Sequence, residues 1–317
     1  MAENNERIPL FLINGFLEAG KTQFINFTIQ QEYFQTEGKT LLIVCEEGEE
    51  EYDEELLAKH NTVMVVADDE DSMTEAYLMG LQKVHNPERV LMEWNGMWDI
   101  TKLQIPSSWE FYQQISIMNG ATLEPYLNNN DLKSLVGRMV RSTELLIVNR
   151  CDGIEDKLAG YHRVLKGMNA QCDIVFENSD GEIDNVSEED LPYDVNADVI
   201  VIPDDAYGIW YIDTFDKPER YRGKTVEFTG MVLKRPEFPA NDFVPGRMAM
   251  TCCAADMSFL GFMCKSKGMG RKVQNQDWVR VRAKVEYEYR PEYEGDGPML
   301  YAEDVQPAEP IEGYVGF

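Results

Sequence analysis

An eight-residue glycine-rich stretch, GFLEAGKT at positions 15–22, constrains the fold of this chain more than any other feature. It follows the apolar run IPLFLI and precedes QFINFTIQQEYF, a stretch that can form a helix. The eight letters fit the pattern G-x-x-x-x-G-K-[ST], in which a loop between a strand and a helix surrounds phosphate groups with backbone amides. The pattern therefore predicts a nucleotide-binding α/β domain at the start of the chain.

The chemistry of such a loop assigns a role to each of its positions. Gly15 and Gly20 allow the backbone amides to turn toward the phosphates, Lys21 contacts the β- and γ-phosphates, and the Thr22 hydroxyl binds Mg²⁺. The residues between the two glycines are predicted to line the same cradle, namely Phe16, Leu17, Glu18 and Ala19. The loop thus predicts a nucleoside triphosphate and Mg²⁺ as the cofactors.

Strand and helix patterns alternate over the first half of the chain. Short apolar runs predict buried strands at 8–14, 40–45, 62–67, 89–93 and 144–149, and helical spacing predicts helices at 23–36, 71–84 and 131–142. This alternation is typical of a doubly wound α/β domain with a parallel sheet, in which ligands bind at the carboxyl ends of the strands.

The pattern changes after about residue 178, where acidic and turn residues replace the apolar runs. Beyond it, stretches such as TVEFTGMVL and DWVRVRAKVEYEY alternate in the manner of short strands separated by turns. We predict a nucleotide-binding domain at 1–185, a linker or edge segment at 186–214, and a small all-β domain at 215–317. The last is expected to be an OB-like or partly open barrel.

Composition excludes several classes of partner. The formal net charge is −28 and the isoelectric point is near 4.4, so the surface repels phosphate backbones, and we expect no nucleic-acid partner. No apolar stretch approaches the roughly 20 residues that cross a bilayer, and the N-terminus does not resemble a signal peptide. We therefore expect a cytoplasmic protein that does not insert directly into a membrane.

A second motif, NRCD at 149–152, follows the strand ELLIVN and resembles the N-K-x-D signature with which GTPases recognise guanine. Asp152 can accept hydrogen bonds from the guanine N1 and N2 donors, and the stem of Arg150 can lie along the base beside Asn149. Because arginine stands in the lysine position, two alternatives remain open. The motif can be a solvated loop, or the base can be adenine.

The stretch FLINGFLEAGKTQFINFTI resembles the opening of the CobW-type metallochaperone GTPases, relatives of the nickel-insertion GTPases of urease and hydrogenase. The resemblance extends over about residues 7–185. It implies a P-loop hydrolase that binds GTP and Mg²⁺, hydrolyses GTP slowly, and acts in the delivery or homeostasis of zinc, cobalt or nickel. It also implies a client metalloprotein as the partner.

Two further segments match the same family in part. CEEGEEEYD at 45–53 lies where the family has a switch segment N-E-F-G-E, and EWNG at 93–96 resembles its E-T-S-G. The resemblance implies that Glu46 and Glu93 lie near the magnesium and its water shell, and that the Gly96 amide senses the γ-phosphate. The alternative for either glutamate is an ordinary surface carboxylate.

The family's metal motif, C-x-C-C, is absent from the place where the resemblance predicts it, just before the helix at 71–84. The chain has VMVVADDEDS there, with no cysteine. Asp68, Asp69, Glu70 and Asp71 could offer oxygen ligands to a hard cation. The alternative is an acidic first turn that complements the dipole of the following helix.

A cysteine cluster lies instead in the second half, in TCCAADMSFLGFMC at 251–264. Cys252, Cys253 and Cys264 could bind a transition metal such as Zn²⁺, with Asp256 or a group from outside the cluster completing the shell, or they can be buried free cysteines of a β-domain.

The region from about 215 to 307 is similar to an uncharacterised domain of bacterial proteins encoded beside putative permeases. That similarity leaves a second functional hypothesis open, a nucleotide-dependent regulatory subunit of a membrane permease that carries no metal itself.

Overall fold

A computed structural model describes residues 7–46, 48–67, 69–183, 191–250, 257–290 and 295–316, with every side chain in them except that of residue 130. The chain divides into two compact units. The first consists of Met1–Leu158 and Cys172–Val186, and the second of Ala159–Gln171 and Ser187–Phe317. Each unit has its own sheet and hydrophobic core.

The first unit is built on one eight-stranded sheet. Its strands are β1 (Ile8–Gly15), β2 (Thr40–Val44), β3 (Thr62–Val66), β4 (Arg89–Glu93), β5 (Trp109–Asn119), β6 (Leu145–Asn149), β7 (Asp173–Asn178) and β8 (Gly181–Glu182). They lie in the order β3-β2-β4-β1-β5-β6-β7-β8, and all neighbours are parallel except β8, which is antiparallel to β7. This arrangement confirms the predicted parallel α/β domain.

The described residues of this part of the chain form six α-helices: α1 (Lys21–Thr28), α2 (Glu54–Lys59), α3 (Glu75–His85), α4 (Gly120–Asn128), α5 (Asn130–Val140) and α6 (Leu158–Met168). All of α6 except its first residue is grouped with the second unit. Helix α1 is shorter than the predicted helix at 23–36. Just beyond its end, the side-chain amides of Gln30 and Gln31 donate to the carbonyls of Asn26 and Phe27, and so satisfy groups that a longer helix would have paired.

Hydrophobic clusters cover the sheet on both faces, which explains why its strands read as continuous apolar runs. In β2 the neighbouring residues Leu41 and Leu42 are both fully buried, yet they belong to two different clusters. Because successive side chains of a strand point to opposite faces, each face receives its own row of apolar side chains. The strand ends that reach the functional loops are therefore held by packing on both sides.

The second unit contains mostly strands. They are β9 (Val199–Val201), β10 (Thr225–Leu233), β11 (Asp242–Met250), β12 (Met257–Gly261), β13 (Cys264–Ser266), β14 (Trp278–Arg290) and β15 (Gly295–Pro307), with the helices α7 (Tyr207–Asp216) and α8 (Pro218–Tyr221). The sheet order is β12-β11-β13-β15-β14-β10-β9, and β10 also pairs with β11. That extra pairing closes five strands into a barrel, as the alternating sequence pattern predicts.

Strict alternation positions the core of this barrel. Along β14, Val279, Val281, Ala283 and Val285 are buried while the residues between them are exposed. The segment 186–214, predicted as a linker or edge segment, contains β9 and most of α7 among its described residues.

The helix α7 within that segment contributes large buried side chains to the core of the second unit. Tyr207 and Trp210 are fully buried there. In the described part of the chain, no helix is long and apolar enough to cross a membrane.

Glycines allow β10, β11 and β12 to approach closely in the barrel wall. A Cβ added at Gly246 would lie 2.2 Å from the carbonyl oxygen of Leu260, a backbone atom that cannot move aside. We expect Gly246→Ala to destabilise the second unit by about 1–3 kcal/mol, as overpacking of a well-packed site does. Urea unfolding followed by tryptophan fluorescence measures this.

The matched control is Gly316→Ala in the same unit, where an added Cβ meets no heavy atom of the described chain within 4 Å. It should leave the unfolding midpoint unchanged. Equal midpoints for the two variants would contradict the close approach.

Candidate nucleotide site

The phosphate loop connects the end of β1 to the start of α1, and its two glycines are required by its geometry. Gly20 has a φ of 101°, a left-handed conformation that allows the chain to turn into α1 at Lys21. A Cβ added at Gly15 would lie 2.6 Å from the carbonyl oxygen of Ile117 on β5. The loop is therefore closely packed against the sheet at the carboxyl ends of its strands.

Lys21 is buried at the centre of this loop, with only 3% of its surface exposed. Its Nζ donates to the carbonyl oxygens of Gly15 (2.9 Å) and Phe16 (3.0 Å), and forms an ion pair of 2.6 Å with Glu46 Oε2. A buried ammonium group needs such compensation. The lysine that is predicted to contact phosphates is thus bound here by loop carbonyls and by a carboxylate of the segment 45–53.

The Thr22 hydroxyl lies beside the carboxylate of Glu93, at the end of β4. Thr22 Oγ1 donates to Glu93 Oε1 at 3.4 Å, and the Tyr52 hydroxyl donates to Glu93 Oε2. Burial raises the pKa of Glu93, while the Tyr52 hydrogen bond and the nearby Lys21 charge act in the opposite direction. Sequence reasoning did not single out Tyr52, although it lies within the segment 45–53.

These oxygens fit a hard divalent cation. Mg²⁺ takes oxygen ligands and keeps several of its waters, so one hydroxyl and nearby carboxylates suffice to hold it next to phosphates. Thr22, Glu46 and Glu93 supply such groups around one corner of the phosphate loop. The donor set therefore matches the predicted magnesium site.

Gly96, the predicted γ-phosphate sensor, lies directly against the phosphate loop. Its amide donates to the carbonyl oxygen of Gly15 at 3.1 Å, and an added Cβ would lie 2.6 Å from that same oxygen. Only glycine allows the two backbones to approach this closely. The segment after β4 is therefore within direct contact of the loop.

The motif at 149–152 contacts the opposite side of the phosphate loop. Asn149 Nδ2 donates to the carbonyl oxygen of Ala19 at 2.8 Å. Arg150 has a φ of 54°, and its Nη1 donates to the carbonyl oxygen of Glu18 at 2.8 Å. The loop after β6 and the phosphate loop are thus joined at two points.

Asp152 is held by a residue that sequence reasoning missed. Its carboxylate accepts from the Ser179 amide (3.1 Å to Oδ1 and 3.2 Å to Oδ2) and from the Ser179 hydroxyl (2.6 Å). These bonds lower the pKa of Asp152, so the carboxylate is ionised and fixed in orientation. The available signal was positional, because Ser179 follows β7 as Asp152 follows β6.

The other loop residues divide by exposure. Ala19 is buried, whereas Leu17 is 55% exposed, and the Phe16 ring stacks on Tyr126 with centroids 4.6 Å apart. Glu18 has a φ of 60°, and its Oε1 accepts from the Glu49 amide at 2.9 Å. The four residues that the sequence predicts to line the phosphate cradle, Phe16 to Ala19, thus all lie in the turn between β1 and α1.

The acidic run before α3 forms turn contacts. Asp69 Oδ1 accepts from the Ser72 amide at 2.8 Å, and Glu70 Oε1 accepts from the Asp99 amide at 2.7 Å. Asp69 thereby caps a short 3₁₀ helix, whereas α3 begins at Glu75 with Thr74 as its cap, so the run lies before that helix and not in its first turn. Asp71 belongs to that 3₁₀ helix, and Asp68 lies outside the described residues.

The cysteine cluster is described only in part. Cys252, Cys253 and Asp256 lie outside the described residues. Cys264, on β13, is fully buried, and burial raises the pKa of its thiol to about 12. Over the described ranges there is no group of three or more His, Cys, Asp or Glu side chains that could hold a metal ion. The transition-metal site stays a prediction.

A glycine loop around a buried lysine, a hydroxyl–carboxylate corner, and an asparagine–aspartate loop at the same sheet edge define a phosphate-loop nucleotide-binding protein. Residues 9–176 match the family described as CobW/HypB/UreG, nucleotide-binding domain. The match spans more than half of the chain, so the chain belongs to this family of P-loop GTPases. Residues 177–315 match the DUF1980 C-terminal domain.

Solved structures of hydrogenase maturation factors share limited similarity with the chain. HypB from Archaeoglobus fulgidus is 13% identical with a TM-score of 0.39, and the alignment covers 55% of this chain and 82% of that one. HypB from Helicobacter pylori, solved in complex with nickel, is 12% identical with a TM-score of 0.35. That alignment covers 55% of this chain and 80% of the HypB chain. No curated protein matches the chain.

The hydrogen bond from Tyr52 to Glu93 generates a pH-dependent prediction. Removing it in Tyr52→Phe leaves a buried carboxylate with one donor fewer, which should cost about 1.5–3 kcal/mol of stability when Glu93 is ionised. Because the folded-state pKa of Glu93 is raised, the cost should shrink as the pH falls through that pKa and the carboxyl takes up a proton. Urea unfolding at several pH values measures it.

Tyr33→Phe is the control, since the Tyr33 side chain is 80% exposed, and it should change stability at no pH. A cost of Tyr52→Phe that is independent of pH would contradict the assigned interaction.

Proposed function

We propose that this chain binds GTP, hydrolyses it slowly with Mg²⁺, and acts in the cytoplasm in the delivery or homeostasis of zinc, cobalt or nickel. The observation that carries the nucleotide part is the oriented, ionised Asp152 at the same sheet edge as the phosphate loop around Lys21. The metal part rests on the family.

Guanine is the base that Asp152 fits. Its two carboxylate oxygens can accept from the guanine N1 and N2 donors, a pair that adenine does not present. The Ser179 amide and hydroxyl occupy both lone-pair positions of Oδ1, and the amide also uses one position of Oδ2, so one position of Oδ2 stays open. A guanine that bonds to both oxygens would therefore take the place of one Ser179 bond to Oδ1. Asn149 fixes the 149–152 loop against the phosphate loop by donating to the Ala19 carbonyl oxygen, and the stem of Arg150 can lie along the base.

The groups of the phosphate loop are those that hydrolysis of a nucleoside triphosphate requires. Lys21 and amides of the phosphate loop would stabilise charge on the transferring phosphoryl group. The Gly96 amide, which donates to the Gly15 carbonyl in this structure, would exchange that acceptor for the γ-phosphate. Mg²⁺, when bound through Thr22 and the waters near Glu46 and Glu93, would neutralise phosphate charge. Phosphate oxygens would replace Glu46 as the acceptors of the Lys21 ammonium.

Metal delivery would use the second unit. Cys252, Cys253 and Cys264 are the proposed ligands for Zn²⁺ or a similar cation, and a client metalloprotein is the proposed recipient. Because the pKa of Cys264 is raised to about 12, that thiol must lose its proton when a metal binds, so metal affinity should increase with pH.

The alternative is a nucleotide-dependent regulatory subunit of a membrane permease that carries no metal. Residues 177–315 match the DUF1980 C-terminal domain. The observation that favours the alternative is the resemblance of residues 215 to 307 to a domain of bacterial proteins encoded beside putative permeases.

Calorimetry tests the base assignment. We expect GTP to bind at least about tenfold more tightly than ATP, as expected for a site built to pair with specific donors. Asp152→Asn should lose this preference and gain affinity for xanthosine triphosphate, because xanthine carries an acceptor where guanine carries the N2 donor.

Asp180→Asn is the matched control, since it removes one nearby negative charge without altering the Asp152–Ser179 bonds. Tighter binding of ATP than of GTP by the unaltered protein would overturn the assignment.

Equilibrium dialysis of the whole protein separates the two functions. Metal delivery predicts that Zn²⁺, Co²⁺ or Ni²⁺ is retained in at least one nucleotide state and is lost in a Cys252→Ser, Cys253→Ser double variant. The permease alternative predicts no retained metal, and GTP-dependent recovery with membranes that the double variant leaves unchanged. Absence of bound metal in both nucleotide states would exclude the metal-delivery proposal.

A further inference from the structure

Glu18 adopts a backbone conformation that is unusual for its residue type. It lies in the phosphate loop with a φ of 60°, in the left-handed region that glycine occupies without steric cost. Strained backbone of this kind persists where surrounding contacts hold it, and it occurs preferentially at functional sites. The contacts of Glu18 indicate what that function is.

Glu18 joins two segments that flank the phosphate loop. Its side-chain Oε1 accepts from the Glu49 amide at 2.9 Å, and its carbonyl oxygen accepts from Arg150 Nη1 at 2.8 Å. A Cβ added at Gly48 would lie 3.0 Å from Glu18 Oε1, so the carboxylate lies tightly against that backbone. One loop residue therefore contacts both the segment after β2 and the predicted base-recognition loop.

A second contact ties the segment after β2 to the same loop. Glu46 Oε2 pairs with Lys21 Nζ at 2.6 Å, so the chain is attached on each side of position 47. Further on, Asp53 caps α2 by accepting from the Glu55 and Leu56 amides, which fixes the far end of the segment. Residues 48–52 therefore span from the Glu18 contact to a fixed helix start.

We propose that Glu18 is a positioning residue that holds residues 48–52 on the phosphate loop in the nucleotide-free protein, and that nucleotide binding releases them. A pocket lies beside the phosphate loop. Its acidic lining residues are Glu18, Glu46, Glu50 and Glu93, and its positive groups are Lys21 and Arg150. Phosphates that enter beside these carboxylates repel them, and the Lys21 ammonium exchanges Glu46 for phosphate oxygens. The two contacts that hold the segment, Glu18 with the Glu49 amide and Glu46 with Lys21, then weaken together.

Release of residues 48–52 would also affect the side chains that are proposed to lie near Mg²⁺. Tyr52 is the last residue of this segment, and its hydroxyl donates to Glu93. Movement of 48–52 therefore changes the contacts of the carboxylate that is proposed to lie near Mg²⁺. This second half of the inference rests on the proposed nucleotide function. The holding contact itself does not, because it exists in the nucleotide-free protein.

Amide hydrogen exchange of the full-length nucleotide-free protein tests the holding contact. Glu18→Ala and Glu18→Gly both remove the acceptor and should speed exchange of residues 48–52 by about three- to tenfold, the range expected for one lost hydrogen bond. Glu18→Gln keeps an acceptor oxygen and should exchange within about twofold of the unaltered protein. Glu51→Gln, which removes a charge from the same segment, is the control and should also exchange normally.

The alanine and glycine variants separate a holding role from a merely structural one. Glycine relieves the left-handed strain and alanine does not, so thermal stability should be higher for Glu18→Gly than for Glu18→Ala. If exchange of 48–52 follows this stability difference, with Glu18→Gly protected and Glu18→Ala exposed, the role is structural and the proposal is overturned. Fast exchange in both variants supports it.

Addition of GTP and Mg²⁺ tests the release. The ratio of exchange rates between Glu18→Ala and the unaltered protein should return to about one, because the contact is already broken in both. If calorimetry detects no nucleotide binding, the proposed function fails while the nucleotide-free exchange result still stands. Equal exchange of Glu18→Ala and the unaltered protein without nucleotide overturns the holding contact, whatever calorimetry shows.

Discussion

The buried ammonium of Lys21 is the interaction on which the nucleotide-binding unit depends. A charge with 3% exposure is tolerable only with several acceptors, and here they come from the loop carbonyls of Gly15 and Phe16 and from Glu46. The same three acceptors bring the loop, the end of β1 and the segment after β2 together. Phosphate oxygens can replace Glu46 without leaving the ammonium unpaired, so exchange of one acceptor is the natural event of nucleotide binding.

Five parallel strands of the first unit, β1, β2, β3, β4 and β6, could be predicted because each reads as a continuous apolar run, whereas β7, in which only Phe176 is buried, was missed. The central strand β5 escaped prediction because burial changes along its length. Its first residue, Trp109, is buried, the next three, Glu110 to Tyr112, are exposed, and the buried stretch runs from Gln114 to Met118. A strand whose burial is interrupted in this way has no uniform pattern, although it pairs with β1 and β6 in the middle of the sheet.

The candidate site was predictable where chemistry is local in sequence. The phosphate loop and the motif at 149–152 are short strings, and the structure brings them into contact. Tyr52, Ser179 and the bridging role of Glu18 were not predictable. Tyr52 and Glu93 are 41 residues apart, and Ser179 and Asp152 are 27 apart, so each contact exists only once the sheet aligns the strand ends. In the second unit, alternation predicted the barrel, because every second residue of β10 and β14 faces its core.

In the proposed mechanism, GTP and the Glu46 carboxylate compete for Lys21, and Asp152 holds guanine. A crystal structure of the full chain with a non-hydrolysable GTP analogue and Mg²⁺ would reveal this competition. We expect Lys21 Nζ on the β- and γ-phosphates, Glu46 displaced from it, and the guanine N1 and N2 donors on the Asp152 carboxylate. An intact Lys21–Glu46 pair with nucleotide bound elsewhere, or a base that does not contact Asp152, would contradict it.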